Sequence, residues 1–168
     1  MKSLTTRMLP AALLLIVGTP GYSADLDADR SAAVDAIEKL GGTVGFYENK
    51  EAAWVAFSGK VTDASLKSLR GLRGLRFLNL RHTNVTDAGL VHLKELNELQ
   101  LLDLSETEIT DAGLGHLKGL TKLQHLSLDG SNVTNAGLEH LELLTDLRNL
   151  GLSDTKVTDT GLEHLTRR

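Results

Sequence analysis

The sequence predicts an α/β solenoid: a right-handed stack of 24-residue units, with a parallel sheet on the concave side and helices on the convex side. Two observations predict it. First, Leu78–Leu101, Leu102–His125 and Leu126–Asn149 are the same pattern written at a spacing of 24 residues. Leu150–Arg168 opens a further copy, and Trp54–Phe77 keeps the frame with weaker matches. Second, each unit holds two periodicities, one of two residues and one of a helical turn.

The strand comes first. Leu-x-x-Leu-x-Leu-x-x-Thr-x-Val runs through Leu75, Leu78, Leu80, Thr83 and Val85, and again through Leu99, Leu102, Leu104, Thr107 and Ile109. It returns at Leu123, Leu126, Leu128, Ser131 and Val133, and at Leu147, Leu150, Leu152, Thr155 and Val157. Leu-x-Leu has period two, which puts both leucines on one face of a short strand. The helix follows. Leu90, Leu93 and Leu96, like Leu114, Leu117 and Leu120, have helical spacing. Thr86-Asp87, Thr110-Asp111 and Thr134-Asn135 precede them and are good capping residues. One unit is strand, turn, short helix and return loop.

These residues resemble the leucine-rich repeat proteins. Val-Thr-Asp-Ala-Gly-Leu stands at Val85–Leu90 and, with Ile109 first, at Ile109–Leu114; Val133–Leu138 carries Asn135 for Asp. That motif is similar to the ribonuclease-inhibitor-like subtype, which also occurs in F-box proteins. The chain looks most like small secreted bacterial leucine-rich repeat proteins. It departs from the commonest subtype by carrying Thr or Ser where many repeats have Asn or Cys. The resemblance spans Trp54 to Leu165 and implies a leucine-rich repeat solenoid. It says little about the ligand, because such constant residues build the scaffold.

Along the chain, residues 1–23 read as a secretory signal peptide. Lys2 and Arg7 supply a positive start, and Met8–Val17 is apolar but too short to span a bilayer. Cleavage after Ser23 places small Gly21 at the −3 position, and the mature chain would keep 16 basic against 22 acidic residues. The expected location is secreted or periplasmic, with no membrane insertion after cleavage. Residues 24–53 read as an N-terminal cap of helix and strand. Val34, Ile37 and Leu40 give the helix an apolar stripe, Gly41-Gly42 ends it, and Thr43–Tyr47 is a strand. Residues 54–168 hold four full repeats and a partial last one. In the first, Trp54 and Ala56 stand at the two leucine positions. A cap is needed because a single unit cannot offset its own ordering entropy, so an end unit would expose its apolar face.

Composition narrows the partners. The net charge is −4, with no basic stripe and only six aromatic residues, which argues against nucleic acid. There is no cysteine, hence no disulfide or thiolate metal site. Asp25, Asp27 and Asp29 begin like a calcium loop, but Arg30 stands where Gly is needed and Ala36 where Glu is. His92, His116, His140 and His164 recur at the repeat spacing. Neighbouring helices lie roughly 8–10 Å apart, so these histidines cannot share one ion and read as scaffold. Thr83, Thr107, Ser131 and Thr155 read as an internal hydroxyl ladder bonding backbone at the turn. No hydrolase, metalloprotease or nucleotide-binding motif is present. The glycosylation sequons at Asn84 and Asn132 fall out of the repeat pattern itself.

What the repeat leaves variable is the outward row of each strand. The frame puts Val55, Phe57, Phe77, Asn79, Arg81, Leu101, Asp103 and His125 on the concave sheet, apolar and basic at the N-terminal end, polar and acidic beyond. Aromatic and Arg residues are the usual anchors of protein interfaces; the competing reading is that Phe57 and Phe77 pack against each other, or under the cap, as satellite core. The expectation is a non-enzymatic module that binds a protein through this face, with no cofactor, metal or catalytic residue. The alternative is a structural or assembly protein docking through its last repeat, where Arg168 replaces the Leu of earlier copies and weak self-association would follow. A shallow sheet without convergent titratable groups argues against an enzyme.

Overall fold

The structure is a computed structural model that describes residues 28–46, 53–57 and 59–166. The segment read as a signal peptide and part of the strand-to-strand turn near Glu48 lie outside them.

Six strands form one sheet in chain order: β1 (Thr43–Phe46), β2 (Ala53–Ala56), β3 (Leu75–Asn79), β4 (Leu101–Asp103), β5 (His125–Ser127) and β6 (Asn149–Gly151). β1 is antiparallel to β2, and every later pair is parallel. Parallel strands need a crossover between them. Here each crossover is a short helical stretch: a 3-10 helix at Asp63–Gly71, α2 (Asp87–Leu90) with Val91–Leu93, α3 (Asp111–Leu114) with Gly115–Leu117, and Asn135–Leu141. α4 (Asp159–Thr166) follows β6, and α1 (Ala28–Lys39) precedes β1. The helices pack on one another in a second row parallel to the sheet, and the leucine rows fill the space between. Leu78, Leu80, Leu102, Leu104, Leu126 and Leu128 are all buried, as are Leu90, Leu93 and Leu96 with their equivalents.

The Val-Thr-Asp-Ala-Gly-Leu motif has a physical account. Thr86, Thr110 and Thr134 are N-caps whose hydroxyls accept from Ala88, Ala112 and Ala136. The same hydroxyls donate backwards to the Asp of the preceding unit. Thr110 donates its N–H to Asp87 Oδ1 at 2.8 Å and its hydroxyl to Asp87 Oδ2 at 2.5 Å. Thr86 meets Asp63 in the same way at 2.7 and 2.8 Å, and Thr134 meets Asp111 at 2.7 Å through both groups. The motif Gly makes room for that carboxylate. A Cβ at Gly89, Gly113 or Gly137 would stand 2.3–2.4 Å from the Asp Oδ1 of the unit before. Ser65 holds the equivalent place in the first unit, where no earlier repeat supplies an Asp.

The turn after each strand repeats as well. His82, Glu106, Gly130 and Asp154 take left-handed φ values of 56°, 56°, 69° and 57°. Thr83, Thr107 and Thr155 then donate to the carbonyl three residues back, at 2.6, 2.6 and 2.7 Å. These bonds stay within one unit, so the hydroxyls close turns and do not join repeats. Ser131 has no side-chain partner among the described residues, although its hydroxyl is buried.

The first unit differs from the sequence frame. Trp54 pairs with Phe77, Val55 with Leu78 and Ala56 with Asn79, after an irregularity at Ala53. Val55 and Phe57 therefore occupy the two leucine positions, at 1% and 4% exposure. The expected placement of Trp54 and Ala56 there is corrected. The turn from Phe57 to Val61 is one residue shorter than that from Leu80 to Val85, so a constant period of 24 slips the strand by one. In a strand a slip of one exchanges the two faces.

α1 packs along the Asp63–Gly71 helix. Ile37 is buried, but Leu40 is 41% exposed, and Ala33 fills the inner position instead. Leu40 falls outside the stripe because α1 has already stopped. Gly42 N–H donates to Ile37 O and Gly41 N–H to Glu38 O, with Gly41 at φ 77°, the left-handed glycine stop. Gly42 passes so close to Ile37 and Phe57 that a Cβ would stand 2.6 and 2.8 Å from them. At the other end Leu147, Leu150, Leu152 and Val157 are only partly buried.

Candidate functional site

Alternation along the strands places one row of side chains opposite the buried leucines: Trp54, Phe77, Leu101, His125 and Asn149. A second row holds Ala56, Asn79, Asp103, Ser127 and Gly151. Trp54, Phe77 and Leu101 are half-buried neighbours, and His125 and Asn149 are exposed. The apolar end of the face is thus a contiguous patch of two aromatic rings and a leucine. The Trp54 indole also covers Gly45 of β1, where a Cβ would stand 1.9 Å from its Nε1.

Of the eight expected residues, Phe77, Asn79, Leu101, Asp103 and His125 lie on this face. Arg81 lies at its edge, in the turn. Val55 and Phe57 do not; they are core residues, and Phe57 packs beneath the cap. Trp54 takes the place expected for them. The sequence signal for Trp54 was the alternation Trp54-Val55-Ala56-Phe57, which fits either face, and only the shortened turn decides between them.

The polar residues of the face are held by local bonds. Asn79 Oδ1 accepts from Arg81 N at 2.9 Å, and Asp103 Oδ1 from Ser105 N at 2.9 Å and Ser105 Oγ at 2.6 Å. These side chains fold the chain out of the strand into the turn. Ser105 Oγ lies 2.7 Å from Ser127 Oγ, which donates to Asp129 Oδ2 at 3.1 Å. Asp129 Oδ1 in turn accepts from Ser153 N at 2.8 Å. Arg81 is paired with Glu106, which also meets His82 Nδ1 at 3.0 Å. The guanidinium is therefore engaged within the chain. Leu101, Asp103, His125, Ser127, Asn149 and Gly151 border a shallow groove of about 400 Å³. The Ser127 hydroxyl in it is bonded to Ser105 and Asp129, and among the described residues no three His, Cys, Asp or Glu side chains stand close enough to hold a metal ion.

The recurring histidines lie on the helical side. His92, His116 and His140 are half-buried. Burial first, then the charges of Arg70 and Lys67, hold the His92 pKa below its ordinary value, with Asp63 opposing. The side chain of His164 lies outside the described residues.

A sheet of parallel strands joined by helical crossovers, with leucines at fixed places in every unit, defines a repeat solenoid. Residues 73–133 match the family described as leucine rich repeat. No curated protein matches the sequence. Among solved structures, an internalin from Listeria monocytogenes is similar at 23% identity and a TM-score of 0.44, covering 64% of this chain. An internalin C2 from the same organism is similar at 24% identity and a TM-score of 0.49, covering 84% of this chain and 70% of its own. The chain spans 37% of the length of the first. No helix among the described residues is long and apolar enough to cross a membrane.

Proposed function

We propose that the chain is an exported, non-enzymatic protein-binding module whose partner docks on the open face of the sheet. The observation that carries this reading is the side-by-side placement of Trp54, Phe77 and Leu101 on that face, bordered by Asn79, Asp103 and His125. An apolar, partly aromatic centre with a polar rim is the usual anatomy of a protein interface. The reading fits the leucine-rich repeat family, and the expected signal segment at residues 1–23 supports export to the secreted or periplasmic space. Arg81, paired with Glu106, serves as rim and not as anchor. The test is capture of an extracytoplasmic partner by the mature chain. Phe77→Ala with Leu101→Ala should lower capture at least about tenfold, the equivalent of ~1.4 kcal/mol, with an unchanged circular dichroism spectrum. Lys122→Ala, on the return loop, should not. Equal capture by the double variant refutes the face.

A second reading, assembly through β6, is favoured by one observation. Among the described residues β6 pairs only with β5, and Leu150 and Leu152 behind it are partly buried. Unpaired edges invite pairing. Sedimentation across a concentration series should then show mass rising with concentration, and a strictly monomeric chain removes this reading.

A further inference from the structure

The fold groups a set of charges that sequence order conceals. The Asp63–Gly71 segment is a 3-10 helix. Side chains three residues apart eclipse along such a helix, about 6 Å apart at a rise of about 2.0 Å per residue. Lys67 and Arg70 are so related, and Arg73, beyond the helix end, lines the same groove. α1 packs against this helix, and the side chains of Ala32 and Ala33 are too short to fill the angle between the two. What remains is a groove of about 510 Å³, walled by Lys67, Arg70, Arg73 and Glu95 above an alanine floor.

The groove is electrostatically unbalanced. Three cations face one acid, in a chain whose net charge is −4. Among the described residues the ion pairs are Arg81–Glu106, His82–Glu106 and Lys122–Glu98, and none involves these four side chains. Arg70 reaches a ring nitrogen, His92 Nδ1 at 3.5 Å, and not a carboxylate. The nearby acid Asp63 is already engaged by Thr86, through bonds of 2.7 and 2.8 Å. Cations set side by side repel, and a bound anion relieves them. The positive potential is felt outside the groove too, since Arg70 and Lys67 add to burial in lowering the His92 pKa against the opposing charge of Asp63.

We infer that this groove binds a phosphate-type oxyanion, free or carried as a phosphate ester on a larger molecule, between Lys67, Arg70 and Arg73. Charge-assisted bonds from Arg and Lys are the strong ones for such groups, and Arg adds a two-pronged geometry that matches them. The site lies on the helical side of the solenoid, away from the open sheet face, and stands or falls independently of the partner reading.

Pyrophosphate at low salt is the probe. Nuclear magnetic resonance of the labelled chain should show saturable shifts at the backbone amides of residues 67–73, and the His92 pKa should rise as the anion offsets the neighbouring cations. Lys67→Gln with Arg73→Gln should weaken binding about tenfold or more, the loss expected for removing two of three charged contacts. Glu95→Gln should tighten binding about two- to threefold by removing the opposing charge; this second variant keeps the test decisive if the double variant folds poorly. Shifts that never saturate, or an affinity indifferent to both variants, overturn the site. Cosedimentation with phosphatidylglycerol vesicles, against phosphatidylcholine vesicles, identifies the source. Charge-dependent vesicle binding assigns the oxyanion to a lipid headgroup, and pyrophosphate binding without it assigns a soluble ester.

Discussion

Gly113→Ala tests how successive repeats are joined. Elsewhere such a change in a short helix is mildly favourable, because alanine is the better helix former by about 0.8–1 kcal/mol. Gly113 has no left-handed φ that would forbid a side chain. The obstacle is the repeat before it: the new Cβ would lie 2.3 Å from Asp87 Oδ1 and 3.0 Å from its Cγ. The carboxylate can move only by leaving Thr110, to which it holds bonds of 2.8 and 2.5 Å. Each bond to a charged group contributes roughly 1.5–3 kcal/mol. Losing both costs roughly 3–6 kcal/mol, of which the alanine propensity returns about 1. The expected net loss is about 2–5 kcal/mol in urea denaturation. The decisive measurement is a double-mutant cycle. In an Asp87→Ala background the obstacle is gone, so Gly113→Ala should be neutral or stabilising, and the coupling should exceed ~2 kcal/mol. An equal cost in both backgrounds would show that the glycine serves something other than the carboxylate.

Leu104→Ala removes a fully buried side chain at the centre of the stack and should cost about 2–5 kcal/mol by denaturation; a loss near zero would mean the strand register is wrong. His92 should make stability depend on pH. Its folded pKa is lowered, so the unfolded chain binds more protons as pH falls through the ordinary value near 6.5. Stability should therefore decline on acidification from that value down to the folded pKa, and His92→Gln should flatten that part of a stability–pH profile. An identical profile in the variant would remove the histidine from the account.

Much of the scaffold could be read from leucine positions, and the reason is physical. A buried leucine row must repeat at the spacing of the stack, so Leu78, Leu102 and Leu126 announce their own alignment. The capping role of Thr86, Thr110 and Thr134 was equally legible, because an N-cap is a local device. The second role of those residues was not. That Asp87 reaches forward to Thr110, and that Gly113 clears its path, is a contact between units. Only the stacking distance reveals it. Val55 and Phe57 were misplaced for a related reason. Trp54-Val55-Ala56-Phe57 alternates apolar residues on both faces, so period two cannot choose between them, and the turn that does choose is one residue short. The cations of the convex groove escaped because the groove exists only where α1 packs beside the Asp63–Gly71 helix, a contact between elements that the repeat spacing does not state.

The division of labour within a repeat has a consequence for the open face. Asp and Thr of the motif join units on the helical side, and Thr83 and Thr107 close turns inside a unit. On the sheet side Asn79 and Asp103 also have scaffold duties, since each holds the turn that follows its strand. Replacing them would disturb the backbone as well as the surface. The side chains of Leu101, His125 and Asn149 take no part in those turn bonds, and their row continues directly from Trp54 and Phe77. Changes in this row alter what the face presents while leaving the joints between repeats intact. In the partner-binding reading proposed above, the row from Trp54 to Asn149 is the one that would set specificity, and the neighbouring polar row supplies its rigidity.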